Sequence, residues 1–274
     1  MWKIPDDVWE IAVEILDREY PKRVKGHRRV DLRPIVNGIL YRLRTGCQWN
    51  HLPKEFGDDS TIHRHFQAMC ERGVFVKLWA ALVERCDELG GVDWEWQAVD
   101  GSMVKARGKS QMGADAVGKN PTDRGKKGVK WSLLVERTGS PLGIVIAGAN
   151  VHDTKLLDAT LDAVVVRRPS PVDYPQHLCL DRGYDNPTGE TAVRDHEYIG
   201  HTRRRPGQPP DAPDTKRYPA RRWVVERTIA WLSKFRGVLV RYEVYDENYL
   251  GLLQFACALI WTRVWHALKA QTAD

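Results

Sequence analysis

The chain has 274 residues, of which 42% are hydrophobic and 28% are charged, as is typical of a globular protein. No apolar run approaches the roughly 18–20 residues that a membrane-spanning helix needs, and acidic residues interrupt the first apolar stretch, which argues against a secretory signal peptide. The five cysteines are scattered without a CxxC pair, so we expect neither a disulfide framework nor a zinc site, and a cytoplasmic location.

The net charge of +6 is unevenly distributed along the chain. Residues 18–33 carry a net charge of +5, residues 101–130 carry +6, and residues 201–222 carry +5. Such clustering favours a polyanionic partner, because each phosphate that a protein neutralises releases condensed counterions. The alternative is that these segments are three solvated loops of a mildly basic protein.

The first ~90 residues predict a small helical domain. Apolar residues recur at helical spacing over residues 8–16 and again over residues 31–44, where Gly46 is placed to end the helix. A third helix is predicted to begin at Ser60-Thr61, and a fourth over residues 74–89. Basic loops between such helices fit helix-turn-helix DNA binding, although a bundle that only packs or dimerises would give the same pattern.

Beyond Gly90-Gly91 the pattern changes to short β-rich runs separated by glycine and proline. The predicted strands are residues 94–104, 129–136, 142–149, 177–180 and 198–202, and the predicted helices are residues 153–166, 187–196, 222–235 and 248–270. This order predicts an α/β domain with the mixed sheet and flanking helices of a ribonuclease-H-like fold. We therefore expect an all-α N-terminal domain over residues 1–93 and an α/β catalytic domain over residues 94–274.

Three acidic residues stand beside or within apolar runs. Asp100 follows the apolar run 96–99, Asp181 follows the run 177–180, and Glu226 lies within an apolar helical stretch. A charge in such surroundings is costly unless it is paired or coordinates a metal ion. We expect the two aspartates at strand ends and the glutamate on a helix, with all three meeting at one edge of the sheet.

Three carboxylates suit hard divalent cations such as Mg²⁺, which take oxygen ligands. Two such ions about 3.5–4 Å apart activate the attacking oxygen and stabilise the leaving oxygen in phosphoryl transfer. Each acid also has a local alternative: Asp100 and Asp181 precede glycine-containing turns, and Glu226 has Arg222 one helical turn before it.

Four stretches of the chain resemble a known family. They are LYRLRTGCQWNHLPKEFGDDSTIHRHFQ (residues 40–67), VDGSMVKA (99–106), LDRGYDN (180–186) and RRWVVERTIAWLSKFR (221–236). In this combination and order they resemble the IS5-type insertion-sequence transposases, a bacterial DDE transposase family with a ribonuclease-H-like catalytic domain. The resemblance runs from about residue 5 to residue 265 and implies an enzyme that cleaves DNA strands and joins them to a target.

The resemblance implies that Asp100, Asp181 and Glu226 are both the catalytic residues and the ligands of two Mg²⁺ ions, with Mn²⁺ as the other possible metal. It implies no small-molecule cofactor. Arg222 fits the family's arginine position upstream of the glutamate, whereas Tyr218 and Lys234 each stand one residue from the usual spacing. The 45 residues from Asp181 to Glu226 leave no room for the inserted β domain of larger relatives.

Double-stranded DNA is the implied partner, in the form of the element's terminal inverted repeats and the target, bound by a homodimer or a larger assembly in the bacterial nucleoid. The candidate DNA-binding residues are Arg222, Lys234, Arg236, Lys126, Lys127, Lys130, Arg203, Arg204 and Arg205. His152-Asp153 is a candidate support for the metal site, the alternative being a helix N-cap by Asp153. Trp223 is a candidate for stacking on an unpaired base.

Two other functions fit the same residues. One is a ribonuclease-H-like nuclease that cleaves DNA but does not join it. The other is a DNA-binding regulator whose catalytic domain has decayed, against which the intact set of three acids argues.

Overall fold

The computed structural model describes residues 2–21, 30–108, 116–202 and 222–272. Its N-terminal part contains four helices: α1 (Asp6–Glu19), α2 (Leu32–Thr45), α3 (Asp59–Glu71) and α4 (Val74–Glu88). The Asp31 and Asp58 side chains accept N–H bonds at the starts of α2 and α3, and α2 ends at Gly46 with a left-handed φ of 69°. The four helices confirm the predicted all-α N-terminal region.

A mixed sheet follows the four helices. Its strands are β1 (Trp96–Ala106), β2 (Gly118–Lys119), β3 (Lys127–Glu136), β4 (Pro141–Gly148), β5 (His177–Leu180), β6 (Ile199–Thr202) and β7 (Val240–Arg241). The main path across the sheet is β4-β3-β1-β5-β6, in which β3 is antiparallel to both of its neighbours. Strand β1 is parallel to β5, and β5 is parallel to β6. Strands β2 and β7 are two-residue additions to β3 and β1.

Five helices accompany the sheet: α5 (Thr154–Asp162), α6 (Pro187–Asp195), α7 (Trp223–Leu232), α8 (Arg236–Leu239) and α9 (Asp246–Thr272). Helix α5 packs on β3 and β4, α6 on β6, and α7 on β1 and β3. A mixed sheet with flanking helices confirms the predicted α/β class and its ribonuclease-H-like order. Within the described residues, none of the helices is long and apolar enough to cross a membrane.

The helical region and the sheet region share one hydrophobic core. Helix α4 packs along α9, and the indole N–H groups of Trp79 in α4 and Trp261 in α9 both donate to the Pro141 carbonyl oxygen, at 3.1 and 2.5 Å. Arg42 of α2 forms a buried ion pair of 2.6 Å with Glu243, just before α9. The domain division at residues 93 and 94 stays a prediction, and the described parts on either side of it pack around this shared core.

Most predicted elements recur with shifted ends. Strand β5 has the predicted bounds, whereas the predicted helix over residues 153–166 ends at Asp162. The helix predicted over residues 222–235 ends at Leu232, and α8 begins a separate short turn at Arg236. The sequence pattern gave no sign of β2 and β7, because two-residue strands are too short to show an alternation.

Candidate active site

Asp100 lies within β1, at the point where the neighbouring strand β5 ends. The predicted position at a strand end is wrong, because β1 continues to Ala106 and Asp100 itself is paired with Leu133 of β3. On the other side of β1, however, the register ends with Ala98 opposite Cys179. Two residues further along in each direction, at Asp100 after Ala98 and at Asp181 after Cys179, the two aspartates lie side by side.

Asp181 follows β5 directly and begins a short turn. Its Oδ1 accepts an N–H bond of 2.6 Å from Arg182, and Asp100 Oδ1 accepts one of 2.8 Å from Gly101. The turn alternative is therefore a real interaction for Asp181, whereas Asp100 and Gly101 both lie in β1 and form no turn. The two N–H bonds orient the carboxylates and do not prevent them from lying side by side.

Glu226 lies in the first turn of α7, which packs on β1 and β3. Helix α7 buries Val224, Val225, Thr228 and Leu232, whereas the Glu226 side chain is 54% exposed on another face. The glutamate thus projects from the helix into solvent near the two aspartates without a large desolvation cost.

Arg222, immediately before α7, contacts all three carboxylates. Its Nη1 lies 3.0 Å from Asp181 Oδ1, and its Nη2 lies 3.2 Å from Glu226 Oε1 and 3.7 Å from Asp100 Oδ2. One planar guanidinium can reach three acids only if their oxygens surround a common point. The structure therefore brings together the three predicted acids and the predicted arginine.

The Asp100 carboxyl is the most buried of the three acids. Burial raises its pKa, the Gly101 N–H and the Arg222 guanidinium oppose this rise, and the nearby Asp181 and Glu226 charges add to it. A second positive charge at this place would favour the ionised form. The possible ligands are carboxylate oxygens, which hard divalent cations prefer. Asp100, Asp181 and Glu226 would hold such a cation.

A second layer of charged residues lies behind Asp100. The Lys130 ammonium lies 3.0 Å from Asp153 Oδ1, and the Lys130 side chain is only 8% exposed. This burial corrects the expectation that Lys130 belongs to a DNA-facing surface, because its ammonium group pairs with Asp153 inside the protein. Sequence reasoning missed this role, since an alternating pattern in β3 cannot show which partner a buried lysine has.

His152-Asp153 was considered as a support for the metal site or as a helix N-cap. Asp153 makes no capping hydrogen bond to α5, so the N-cap alternative is wrong. His152 Nδ1 instead lies 2.9 Å from the Thr154 hydroxyl and 3.4 Å from the Thr154 N–H, at the start of the helix. Asp153 faces Gly101, where an added Cβ atom would overlap its carboxylate.

Tyr184 is a residue of this layer to which the sequence assigned no role. Its hydroxyl is buried and has no hydrogen-bond partner among the described residues. Burial raises its pKa, and the charges of Asp153, Asp100 and Asp181 raise it further. Its place in the stretch LDRGYDN, three residues after Asp181, was the only available signal.

The other predicted DNA-binding residues lie outside the carboxylate cluster. Lys126 and Lys127 are exposed at the turn into β3, with Lys126 3.8 Å from Asp123, and Lys234 and Arg236 are exposed just after α7. Their contacts with DNA stay predictions. Arg203, Arg204, Arg205 and Tyr218 lie outside the described residues. Trp223 is 56% exposed, and the Arg227 guanidinium lies 4.8 Å from the centre of its ring.

Comparison with known proteins gives consistent matches along the chain. Residues 4–79 match a family described as a putative transposase of the IS4/5 family, and residues 96–261, more than half of the chain, match the transposase DDE domain. A putative transposase for insertion sequence element IS402 from Burkholderia cepacia is 34% identical over 165 residues, which cover 58% of this chain and 73% of that protein.

Two shorter matches agree with these. An uncharacterized 16.2 kDa protein of the IS402 element of Burkholderia cepacia is 32% identical over 112 residues, covering 39% of this chain and 76% of that protein. Uncharacterized protein y4sN of Sinorhizobium fredii (strain NBRC 101917 / NGR234) is 29% identical over 103 residues, covering 37% and 74%. The chain belongs to the IS4/IS5 family of DDE transposases and is thus a polynucleotidyl transferase encoded by an insertion sequence.

Proposed function

We propose that this transposase binds the terminal inverted repeats of its element, cleaves DNA at the element's ends and transfers the freed 3′-hydroxyl to target DNA. The observation that carries the proposal is the meeting of Asp100, Asp181 and Glu226 around Arg222. Carboxylates from two adjacent strands and one helix, open to solvent on one side, leave room for a phosphodiester to approach.

DDE transposases use divalent metal ions, and we propose two Mg²⁺ ions at the three carboxylates, with Mn²⁺ as a substitute. When bound, such ions activate the attacking oxygen and stabilise the leaving oxygen in an in-line displacement. The chain's own residues fix the geometry: β1 and β5 set the two aspartates side by side, and α7 sets Glu226 opposite them. Asp153 and Lys130 keep the backbone of Asp100-Gly101 in place from behind.

Arg222 offsets part of the negative charge of the three carboxylates in the free protein. We propose that in the DNA complex, where the carboxylates hold cations, its guanidinium contacts a phosphate beside the scissile bond. A planar guanidinium suits either role, because carboxylate and phosphate oxygens accept the same paired N–H groups.

The remaining proposed DNA contacts come from exposed basic residues. Lys126 and Lys127 project from the turn before β3, and Lys234 and Arg236 follow α7. Arg203, Arg204 and Arg205 complete the set from the basic segment that precedes Arg222. Phosphate contacts of this kind position the protein on the duplex, and we assign sequence recognition to the helices of the N-terminal region.

We also propose that the protein acts as a homodimer or a larger assembly, since the two ends of an element are joined to one target. In vitro strand transfer tests the function. Purified protein is mixed with pre-cleaved end DNA, a supercoiled target plasmid and about 5–10 mM Mg²⁺. Joined end–target products are the expected result.

Two outcomes would contradict the proposed function. Cleaved ends that are never joined would identify a nuclease. Binding to end DNA that is indifferent to Mg²⁺ and gives neither cleavage nor joining would identify a regulator.

A further inference from the structure

A pocket with an unusual surplus of positive charge lies where α2, α7 and α9 meet. Its volume is about 350 Å³, and its lining includes none of the three catalytic carboxylates. Three cationic side chains enter it from three parts of the chain: Arg44 from α2, Lys234 from the end of α7, and Arg263 from α9. Trp231 and Phe235 form its aromatic wall.

The cations of this pocket have no anionic partner among the described residues. No acidic side chain belongs to the described lining, and none of the three cations forms an ion pair within the described part of the chain. The Arg44 Nε atom is buried without a hydrogen-bond partner there, and its guanidinium lies over the Phe235 ring at 5.5 Å. An unpaired, partly buried guanidinium is costly, so this arrangement is best explained by an anionic ligand.

The electrostatic state of Arg44 agrees with that view. Burial lowers the pKa of its guanidinium, and the nearby Arg263 charge lowers it further. Two like charges in one concave site repel each other unless an anion lies between them. Arginine pairs and a lysine that share a cavity are the usual means of holding a phosphate.

Glu136 contacts Thr138 and Ser140 of the pocket lining from the protein interior, and it does not pair with the three cations. Its carboxylate accepts N–H bonds of 2.8 Å from both Thr138 and Ser140, together with the Thr138 hydroxyl. Burial raises the pKa of the Glu136 carboxyl, and the hydrogen bonds from Thr138 and Ser140 oppose this rise. The Glu136 oxygens are thus engaged with the β3–β4 turn, and the pocket keeps its positive charge.

We propose that this pocket binds a phosphate of the DNA strand, with the adjoining sugar or base against Trp231 and Phe235. The proposal rests on the proposed function and adds a place on the protein for a defined part of the substrate.

The position of the pocket gives it a further consequence. Arg44 belongs to the N-terminal helical region, Lys234 belongs to the part of the chain that matches the DDE domain, and Arg263 lies in α9 just beyond that part. A phosphate held by all three fixes the DNA to both parts at once. Substrate register at the carboxylates then depends on residues far from them in the sequence.

DNA binding as a function of salt concentration tests the proposal. The probe is a fluorescein-labelled duplex of about 30 base pairs that carries the element's end, titrated by fluorescence anisotropy in EDTA from about 50 to 300 mM NaCl. The variants are Arg263→Gln and Lys234→Gln, both exposed, and Arg44→Gln. Arg85→Gln is the matched control, because Arg85 is 42% exposed on α4 and lines a different, mixed-charge pocket.

We expect each pocket variant to bind about 5- to 20-fold more weakly at 150 mM NaCl, with the slope of log K against log salt reduced by about one. The control is expected to keep the wild-type slope. Slopes of Arg263→Gln and Lys234→Gln equal to that of the wild type would overturn the proposal, even if Arg44→Gln fails to fold.

A second arm separates strand phosphate from free phosphate. Thermal unfolding is followed with sodium phosphate or sodium chloride at equal ionic strength. Stabilisation by phosphate that Arg263→Gln abolishes, combined with unchanged DNA binding, would show a site for a small anion and overturn the proposal. The Asp181→Asn variant keeps the two claims apart: cleavage that survives this change contradicts the proposed function, whereas the salt slopes alone decide on the pocket.

Discussion

The Asp153 carboxylate occupies the space that a side chain on Gly101 would fill. Gly101 directly follows Asp100 in β1, and Asp153 is held in place by the buried Lys130 ammonium 3.0 Å away. Asp153 thus packs against the backbone of Gly101, the residue next to Asp100. A glycine at this position is required by the close approach of a charged group and not by its backbone angle.

Substitution of Gly101 by alanine is therefore expected to displace Asp153 or the β1 backbone. We expect the free energy of unfolding to fall by about 1–3 kcal/mol, the usual cost of overpacking, and strand cleavage to fall with it. Chemical denaturation and a cleavage assay measure the two effects.

Gly183→Ala is the matched control for this change. Gly183 lies two residues after Asp181, and among the described residues no heavy atom other than those of its chain neighbours lies within 4 Å of the Cβ that alanine would add there. We expect a change in stability of at most about 0.5 kcal/mol. Equal losses in the Gly101 and Gly183 variants would contradict the packing relationship between Gly101 and Asp153.

The ion pair between Lys130 and Asp153 gives a second prediction. Asp153→Asn leaves the buried Lys130 ammonium without its partner, and we expect this change to destabilise the protein by about 2–4 kcal/mol. Lys130→Met is expected to cost less, since the Asp153 side chain is 38% exposed and can be hydrated. In the double variant the loss should be smaller than the sum of the single losses, as measured by urea unfolding. Strict additivity would show that the two groups do not interact.

We propose that Arg222 and metal ions compete for the same three carboxylates, which gives a third prediction. Removal of the guanidinium in Arg222→Gln leaves three neighbouring negative charges, so the melting temperature without divalent ions is expected to fall by a few degrees. Addition of Ca²⁺ or Mg²⁺ is expected to raise the melting temperature more in this variant than in the wild type, because bound ligand stabilises the folded state. Arg182→Gln, an exposed neighbour, serves as the control. A metal-induced shift of equal size in all three proteins would count against the competition.

His63 gives the chain a pH dependence that does not involve the catalytic acids. Its ring stacks on Trp49 at 4.6 Å, and burial lowers its pKa; the Arg42 charge lowers it further, and the Glu243 charge opposes the shift. The unfolded chain therefore binds the proton more readily than the folded one. Stability present at pH 8 is lost as the pH falls through the usual histidine pKa of about 6.5.

We expect His63→Phe, which keeps a ring against Trp49, to lose less stability than the wild type between pH 8 and pH 5. Urea unfolding at several pH values measures the difference. Parallel stability curves for the two proteins would mean that the folded state does not disfavour protonated His63.

The sequence was sufficient to predict the order of the larger elements and the three acids. Strand β5 with Asp181 at its end was predicted with its observed bounds, because a short run with three apolar residues, Leu178, Cys179 and Leu180, ends at a charged one. Asp100 was predicted to end its strand, since the apolar run stops there. In the structure, β1 pairs with β5 only as far as Ala98, whereas its pairing with β3 continues beyond Asp100.

The charges that support the site could not be predicted, because each depends on a partner distant in sequence. Lys130 stands in a basic segment and was grouped with exposed lysines, although the fold turns it inward to Asp153. The apolar neighbours of Glu226 in the sequence do not show which face of the helix it occupies, and α7 turns only one face toward the sheet. Long-range pairing and the choice of helix face arise from tertiary packing, which a local pattern does not encode.

The central claim is that Asp100, Asp181 and Glu226 together carry out metal-dependent cleavage of DNA. Its most direct test is Mg²⁺-dependent nicking of a duplex that carries the element's end and flanking DNA, by the wild type and by Asp100→Asn, Asp181→Asn and Glu226→Gln. Each variant is expected to bind the duplex in EDTA as the wild type does and to cleave it at least about 10²–10³-fold more slowly. Cleavage at the wild-type rate by all three variants would contradict the assignment.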